Sequence, residues 1–188
     1  MKKISFKDIV IPTISLFLIC LVVAVLLAGT NELTKDAIAE NQLEKSNEAK
    51  AAVCSGAVTF EGEKGLETEV YRGFDKDGNF VGYAIPSKDK GYGGDIEIMV
   101  GFDTEGNITG VSIVSINETP GLGMNAQNES FRNQFLGEIP EGGFTAKKQA
   151  QGKEKIDALS SATITSEAVS RAVNKAIDVY NSLEGGGN

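Results

Sequence analysis

Ile96-Glu-Ile-Met-Val-Gly-Phe-Asp-Thr-Glu-Gly-Asn-Ile108 is the stretch that decides the fold class. Ile96, Ile98, Val100 and Phe102 alternate with Glu97, Met99 and Gly101, the period-two pattern of a strand that buries one face. Asp103-Thr-Glu-Gly-Asn107 then turns the chain into a second apolar run over residues 108–116. The same turn chemistry stands upstream, where Asp75-Lys-Asp-Gly-Asn79 separates residues 69–74 from 80–85. In both turns Gly and Asn are expected to accept positive φ, so two hairpins of one antiparallel sheet are predicted. Residues 129–135 read as a short helix. Val169, Val173, Ala176, Ile177 and Tyr180 then recur at helical spacing, predicting a helix over 166–182 that packs on the sheet. Thr165 or Ser166 is its expected cap, with Glu167 in the first turn. The expected class is α+β.

The chain has 188 residues, a net charge of −8 and a 41% hydrophobic composition, which suits one domain with an appendage. It contains no histidine, which excludes His-based catalytic triads, HExxH zinc sites and His-ligated haem. The acidic balance argues against nucleic acid as a partner, because phosphate contacts need clustered Lys and Arg.

The appendage is N-terminal. Residues 9–29 carry no charge, and at ~1.5 Å rise per residue they make a helix of roughly 31 Å, the thickness of a bilayer core. Their Ile, Leu, Val and Phe content gives roughly −6 kcal/mol of insertion preference, enough to absorb Pro12, Thr13 and Ser15. Lys2, Lys3 and Lys7 precede the span, so residues 1–8 are expected in the cytoplasm and the remainder outside. A cleaved signal peptide is the rival reading. It fits less well, because the apolar run is long and no A-x-A site follows it. Residues 30–53, with sparse Leu33, Ile38 and Leu43, read as a weakly packed helical stalk. Residues 54–183 form the expected outer domain, and residues 184–188 a frayed tail. Cys20 lies in the span and Cys54 is the one thiol beyond it; both read as small apolar residues.

Three segments could carry chemistry. Asp157-Ala-Leu-Ser-Ser-Ala-Thr-Ile-Thr-Ser166, just before the last helix, is dense in small residues and hydroxyls. Free N–H groups at a helix start attract phosphate or carboxylate, although plain capping by Thr165 or Ser166 needs no ligand. Asn117-Glu-Thr-Pro-Gly-Leu-Gly-Met124 offers a glycine loop whose backbone can approach a flat ligand, and Lys90-Gly-Tyr-Gly-Gly94 adds Tyr92 for stacking. Either could equally be an ordinary turn.

Together these segments resemble the FMN-binding G subunit of the Rnf ion-translocating oxidoreductase (RnfG), and are similar to the C subunit of the sodium-pumping quinone reductase (NqrC). The resemblance runs through the anchor, Thr34-Lys-Asp-Ala-Ile-Ala39, Gly91-Tyr-Gly-Gly94, Glu118-Thr-Pro-Gly-Leu-Gly123 and residues 157–166. That family's flavin-attachment sequence, S/T-G-A-T, reads here Ser160-Ser161-Ala162-Thr163, with Ser161 at the usual Gly position. The resemblance implies FMN joined to Thr163 by a phosphoester, attached in trans by a flavin transferase that uses FAD and releases AMP. Ser160, Ser161, Ala162 and Thr165 would flank the attachment. Tyr92, Glu118, Thr119, Gly121, Leu122 and Gly123 would lie near the ring, where the Glu118 carboxylate is expected to lower the flavin potential by its charge. It further implies a single-pass protein of the cell membrane, in contact with lipid and the other Rnf subunits. That complex couples electron transfer from reduced ferredoxin to NAD with movement of H⁺ or Na⁺. This chain would be one electron relay, with no catalytic residue or metal of its own, and its uncharged span leaves the ion path to other subunits. Two alternatives stay open: a free-standing, membrane-tethered flavin shuttle, and a non-redox module that binds an anion or a partner outside the membrane.

Overall fold

The computed structural model describes residues 6–63, 69–147 and 151–185. The chain divides into two compact units, Met1–Leu43 and Glu44–Asn188. The described residues of the first, 6–43, belong to α1 (Phe6–Val53), which is long and apolar enough to cross a membrane; its apolar window has a mean hydropathy of 3.0 and none of it is buried. The hydroxyls of Thr13, Thr30 and Thr34 donate to the carbonyls of Ile9, Leu26 and Thr30, so these polar side chains are satisfied along the helix itself.

In the second unit a five-stranded antiparallel meander is built from β1 (Thr59–Glu63), β2 (Val70–Phe74), β3 (Phe80–Lys90), β4 (Asp95–Asp103) and β5 (Ile108–Ser115), in that spatial order. The expected hairpins are β2–β3 and β4–β5. Strand β1 was not foreseen: Thr-Phe-Glu-Gly-Glu is mostly exposed and carries no alternating apolar signal. Both D-x-x-G-N turns have one geometry, with Asp75 and Asp103 accepting from the N–H groups two and four residues on and from the Asn side-chain amide. Only the glycines, Gly78 (φ 82°) and Gly106 (φ 89°), take positive φ there. The asparagines serve instead through their amides, which corrects the expectation that both residue types adopt that conformation.

After β5 come a 3₁₀ turn (Gly123–Gln127), α2 (Glu129–Arg132), a second 3₁₀ turn (Asn133–Phe135), and two short strands, β6 (Phe144–Thr145) and β7 (Glu154–Lys155), paired in parallel. Helix α3 (Thr163–Gly185) closes the chain. It begins three residues before the sequence-based start and ends beyond Ser182, while residues 186–188 of the expected tail lie outside the described residues.

The sheet has two covered faces. On one, Ile96, Ile98, Val100 and Phe102 of β4 pack with Val169, Val173, Ala176, Ile177 and Tyr180 of α3. Burial of each such Val or Ile is worth about 1.5–3 kcal/mol. The other face, with Ala84 and Met99, receives Ala49 and Val53 from the end of α1. That end of the expected stalk is therefore packed, not free. The cross-strand glycine pair Gly101 and Gly110 makes the seat, for a Cβ at Gly101 would lie 2.0 Å from the Val53 carbonyl oxygen. Lys50 sits over the Tyr71 ring at 4.0 Å, and Cys54 is buried with its sulfur beside Gly73, where burial pushes the thiol pKa up.

Candidate functional site

A tight turn at residues 91–94 joins β3 to β4, closed by the Gly91 N–H donating to the Gly94 carbonyl at 2.8 Å. Ser115 at the end of β5 pairs with Glu97, so the chain leaving β5 emerges beside that turn. The two backbones come so close there that a Cβ on Gly93 would lie 2.2 Å from the Asn117 carbonyl oxygen. Glu118 follows, 8% exposed, and its Oε1 accepts from the N–H groups of Tyr92 at 2.7 Å and Gly93 at 3.2 Å. Its carboxylate is turned inward onto two main-chain donors.

Beyond it, the Thr119 carbonyl accepts from the N–H groups of Leu122 and Met124 and folds the loop back on itself. The two loop glycines serve different ends. Gly121 has φ +76°, and a Cβ there would meet nothing within 4 Å, so only its conformational freedom is used. Gly123 serves close approach: a Cβ would lie 2.7 Å from Thr165 Oγ1 and 2.8 Å from Glu118 Cβ. Through this contact the loop meets the start of α3.

The segment before α3 is held by its own hydrogen bonds. Gln134 clamps the Asp157 main chain, its Oε1 accepting from Asp157 N–H at 2.6 Å and its Nε2 donating to Asp157 C=O at 3.3 Å. Ser166 Oγ accepts from Leu159 N–H and donates to the Ala162 carbonyl. Ser166 is thus a loop tie inside the first turn, and Thr165 is buried against Gly123; neither is the cap expected from sequence. The first helical bond runs from Ser166 N–H to Ala162 C=O, which makes Ala162 the cap, a residue without a side-chain oxygen. The N–H groups of Thr163, Ile164 and Thr165 precede the ladder and carry the positive end of the helix dipole. Thr163 is exposed at this point, as are Ser160 and Ser161. Ser161 has φ 59°, alone among the described non-glycine residues in taking positive φ.

The three sequence-derived segments therefore converge at one end of the sheet. Each exposes one large apolar side chain: Tyr92 (74%), Leu122 (39%) and Ile164 (55%). An exposed hydroxyl, uncapped helical N–H groups and these apolar side chains fit a ligand with a phosphate and a flat apolar ring. Sequence reading missed Gln134, whose role depends on a partner far along the chain, and it gave Asn117, the first residue of the second motif, no part of its own. It also missed Asp89, which bonds Arg171 at 2.7 Å and Lys175 at 2.8 Å of α3, while Arg171 reaches the Lys90 carbonyl at the base of the Tyr92 turn. Burial alone would raise the Asp89 pKa, and the bonds from Arg171 and Lys175 outweigh it and hold the group below the ordinary carboxylate value. A cavity of about 280 Å³ lined by Pro140, Gly143, Lys153, Asn174 and Asp178 includes none of the motif residues.

Known proteins resemble this chain in sequence and in fold. Residues 91–178 match the FMN-binding domain family, and residues 1–53 match the RnfG N-terminal region. The chain is 32% identical over 174 residues to the G subunit of the proton-translocating ferredoxin:NAD(+) oxidoreductase complex of Clostridium ljungdahlii, covering 93% of this chain and 92% of that one. It is 33% identical over 200 residues to the G subunit of the Na(+)-translocating complex of Acetobacterium woodii, covering 96% of each. Its fold resembles the crystal structure of the C subunit of Na(+)-translocating NADH-quinone reductase from Parabacteroides distasonis, with a TM-score of 0.56 at 19% identity over 75% of this chain and 92% of that one. With two relatives above 30% identity along nearly their whole lengths and an FMN-binding domain spanning all three converging segments, the chain belongs to the RnfG family.

Proposed function

We propose that this protein is the membrane-anchored electron relay of an ion-translocating ferredoxin:NAD oxidoreductase complex, carrying FMN covalently at Thr163. The observation that carries the reading is Thr163 itself, an exposed hydroxyl at the first position of α3, beside helical N–H groups that no side chain caps among the described residues. FMN supplies reversible acceptance and donation of electrons when bound. In attachment, Thr163 Oγ would bond to the FMN phosphorus of FAD as the phosphoanhydride bond to AMP breaks, AMP leaves and the hydroxyl proton is lost. The resulting phosphodiester keeps one negative charge, which the first turn of α3 is placed to stabilise. Tyr92, Leu122 and Ile164 would cover ring surface and exclude water, while Gly123 lets the loop lie close to Thr165. Lys2, Lys3 and Lys7 support a cytoplasmic N-terminus with the FMN-binding unit outside, among the other subunits of the complex.

Co-expression with a flavin transferase and intact-mass measurement tests this. Thr163→Ala should lose the whole FMN mass increment and the ultraviolet-fluorescent band after denaturing electrophoresis. Thr165→Ala should keep both and lose only packing against Gly123. Flavin mass retained in Thr163→Ala would move the attachment to Ser160 or Ser161 and end this assignment.

A further inference from the structure

The Glu118 carboxylate occupies a built seat. A Cβ on Gly91 would lie 2.3 Å from its Oε1 and a Cβ on Gly123 2.8 Å from its Oε2, so the two glycines flanking it leave room for the carboxylate and nothing more. Oε1 takes the two N–H groups of the turn, those of Tyr92 and Gly93, which are directed at neither strand. Arg171 holds the same turn from α3 through the Lys90 carbonyl. The turn is therefore fixed from two sides, yet the side chain it carries, Tyr92, is 74% exposed. A rigid backbone presenting an exposed ring makes sense where that ring must meet a ligand in one place.

We propose that Glu118 is a positioning residue: it straps the Tyr92 turn to the loop after β5, and acts on the flavin site through that geometry and not through its charge. This rests on the reading that FMN is carried at Thr163. The expectation drawn from the resemblance, a carboxylate near the ring that acts by its charge, assigns the opposite cause, and two variants separate them. Glu118→Gln removes the charge and keeps an oxygen acceptor for both amides; Glu118→Ala removes both.

The full-length flavin-bearing chain in detergent is measured by the visible circular dichroism and midpoint potential of the flavin, and by hydrogen exchange of the Tyr92 and Gly93 amides. Glu118→Gln should leave dichroism and potential as in the parent. Glu118→Ala should change the dichroism and speed exchange of the two amides about tenfold or more, as expected for loss of hydrogen bonds to a charged acceptor, while α3 core amides stay protected. Equal shifts of potential in both variants would overturn the proposal in favour of direct charge action. Unchanged amide exchange in Glu118→Ala would overturn it too. If the parent chain carries no flavin mass at all, the covalent reading fails, and exchange on the bare chain still decides the strap.

Discussion

Ser161 stands two residues before Thr163 with φ 59°, a conformation that costs an L-residue with a Cβ about 1–2 kcal/mol and glycine almost nothing. The resembled motif has Gly at this position, and the backbone supplies the physical reason: the chain must bend sharply to place Ala162 at the cap and Thr163 at the first helical position. Ser161→Gly should therefore stabilise the protein, although the greater freedom of an unfolded glycine offsets part of the gain. The expected net is about 0.5–1 kcal/mol, read as a raised thermal midpoint of the full-length chain. A lowered midpoint would mean that the Ser161 side chain supplies more than the strain costs. Gly121 and Gly123 differ in the same way, one needed for its dihedral angle and the other for its missing side chain.

Among the elements, the end of α1 is held by features of the strands beneath it. The paired Gly101 and Gly110 carry no side chains under the helix end, so that Val53 lies directly on their backbone, and the Thr109 hydroxyl donates to the Val53 carbonyl at 2.5 Å. Gly101→Ala would place a Cβ 2.0 Å from that carbonyl oxygen, and the obstructing atom is main chain that cannot rotate aside. The substitution should cost about 1–3 kcal/mol and lift the last turn of α1 from the sheet. Faster amide exchange at Val53 and Cys54 would report it, with the α3 face of the sheet unaffected. Exchange unchanged at those two residues would show that the seat tolerates a side chain. Helix α3 is fixed by a different logic, a stripe of apolar residues on one face and polar ties on the other. Asn174 bonds the main chain of Phe144 in β6, Glu167 accepts from the Thr145 hydroxyl and the Ala146 N–H just after it, and Arg171 and Lys175 bind Asp89 at the end of β3.

For the whole molecule, the depressed pKa values of Asp89 and Asp103 set the response to acid. In both, burial acts to raise the pKa, and the bonds from Arg171 and Lys175 to Asp89, or from Asn107 and the turn amides to Asp103, reverse it. A carboxylate with a folded pKa below its unfolded value contributes stability that is complete above the unfolded pKa of about 3.9 and is lost as pH falls through the folded value. Acid unfolding should thus begin below about pH 4, and Asp89→Asn should flatten the loss below that point; an unaltered acid profile would remove Asp89 from the account. Orientation in the membrane is open to a protease test. Protease applied from outside, with any outer barrier opened, should digest the FMN-binding unit and spare the span and residues 1–8, whereas full protection would reverse the proposed topology. What repeats locally is legible in the amino-acid sequence. The alternation at Ile96, Ile98, Val100 and Phe102, the helical stripe from Val169 to Tyr180, the uncharged run of residues 9–29 and the small-residue segment around Thr163 each follow from neighbours two to four positions apart, or from simple length and composition. It takes packing in three dimensions to bring the Tyr92 turn, the Glu118 loop and the start of α3 to one end of the sheet, to turn Glu118 onto two amides and to rest Val53 on two glycines. The two Glu118 bonds join residues 26 and 25 positions apart, and the Thr109 bond that ties Val53 over the glycines joins residues 56 apart; which partner such a residue meets depends on how strands and helices stack, a choice that local periodicity does not encode.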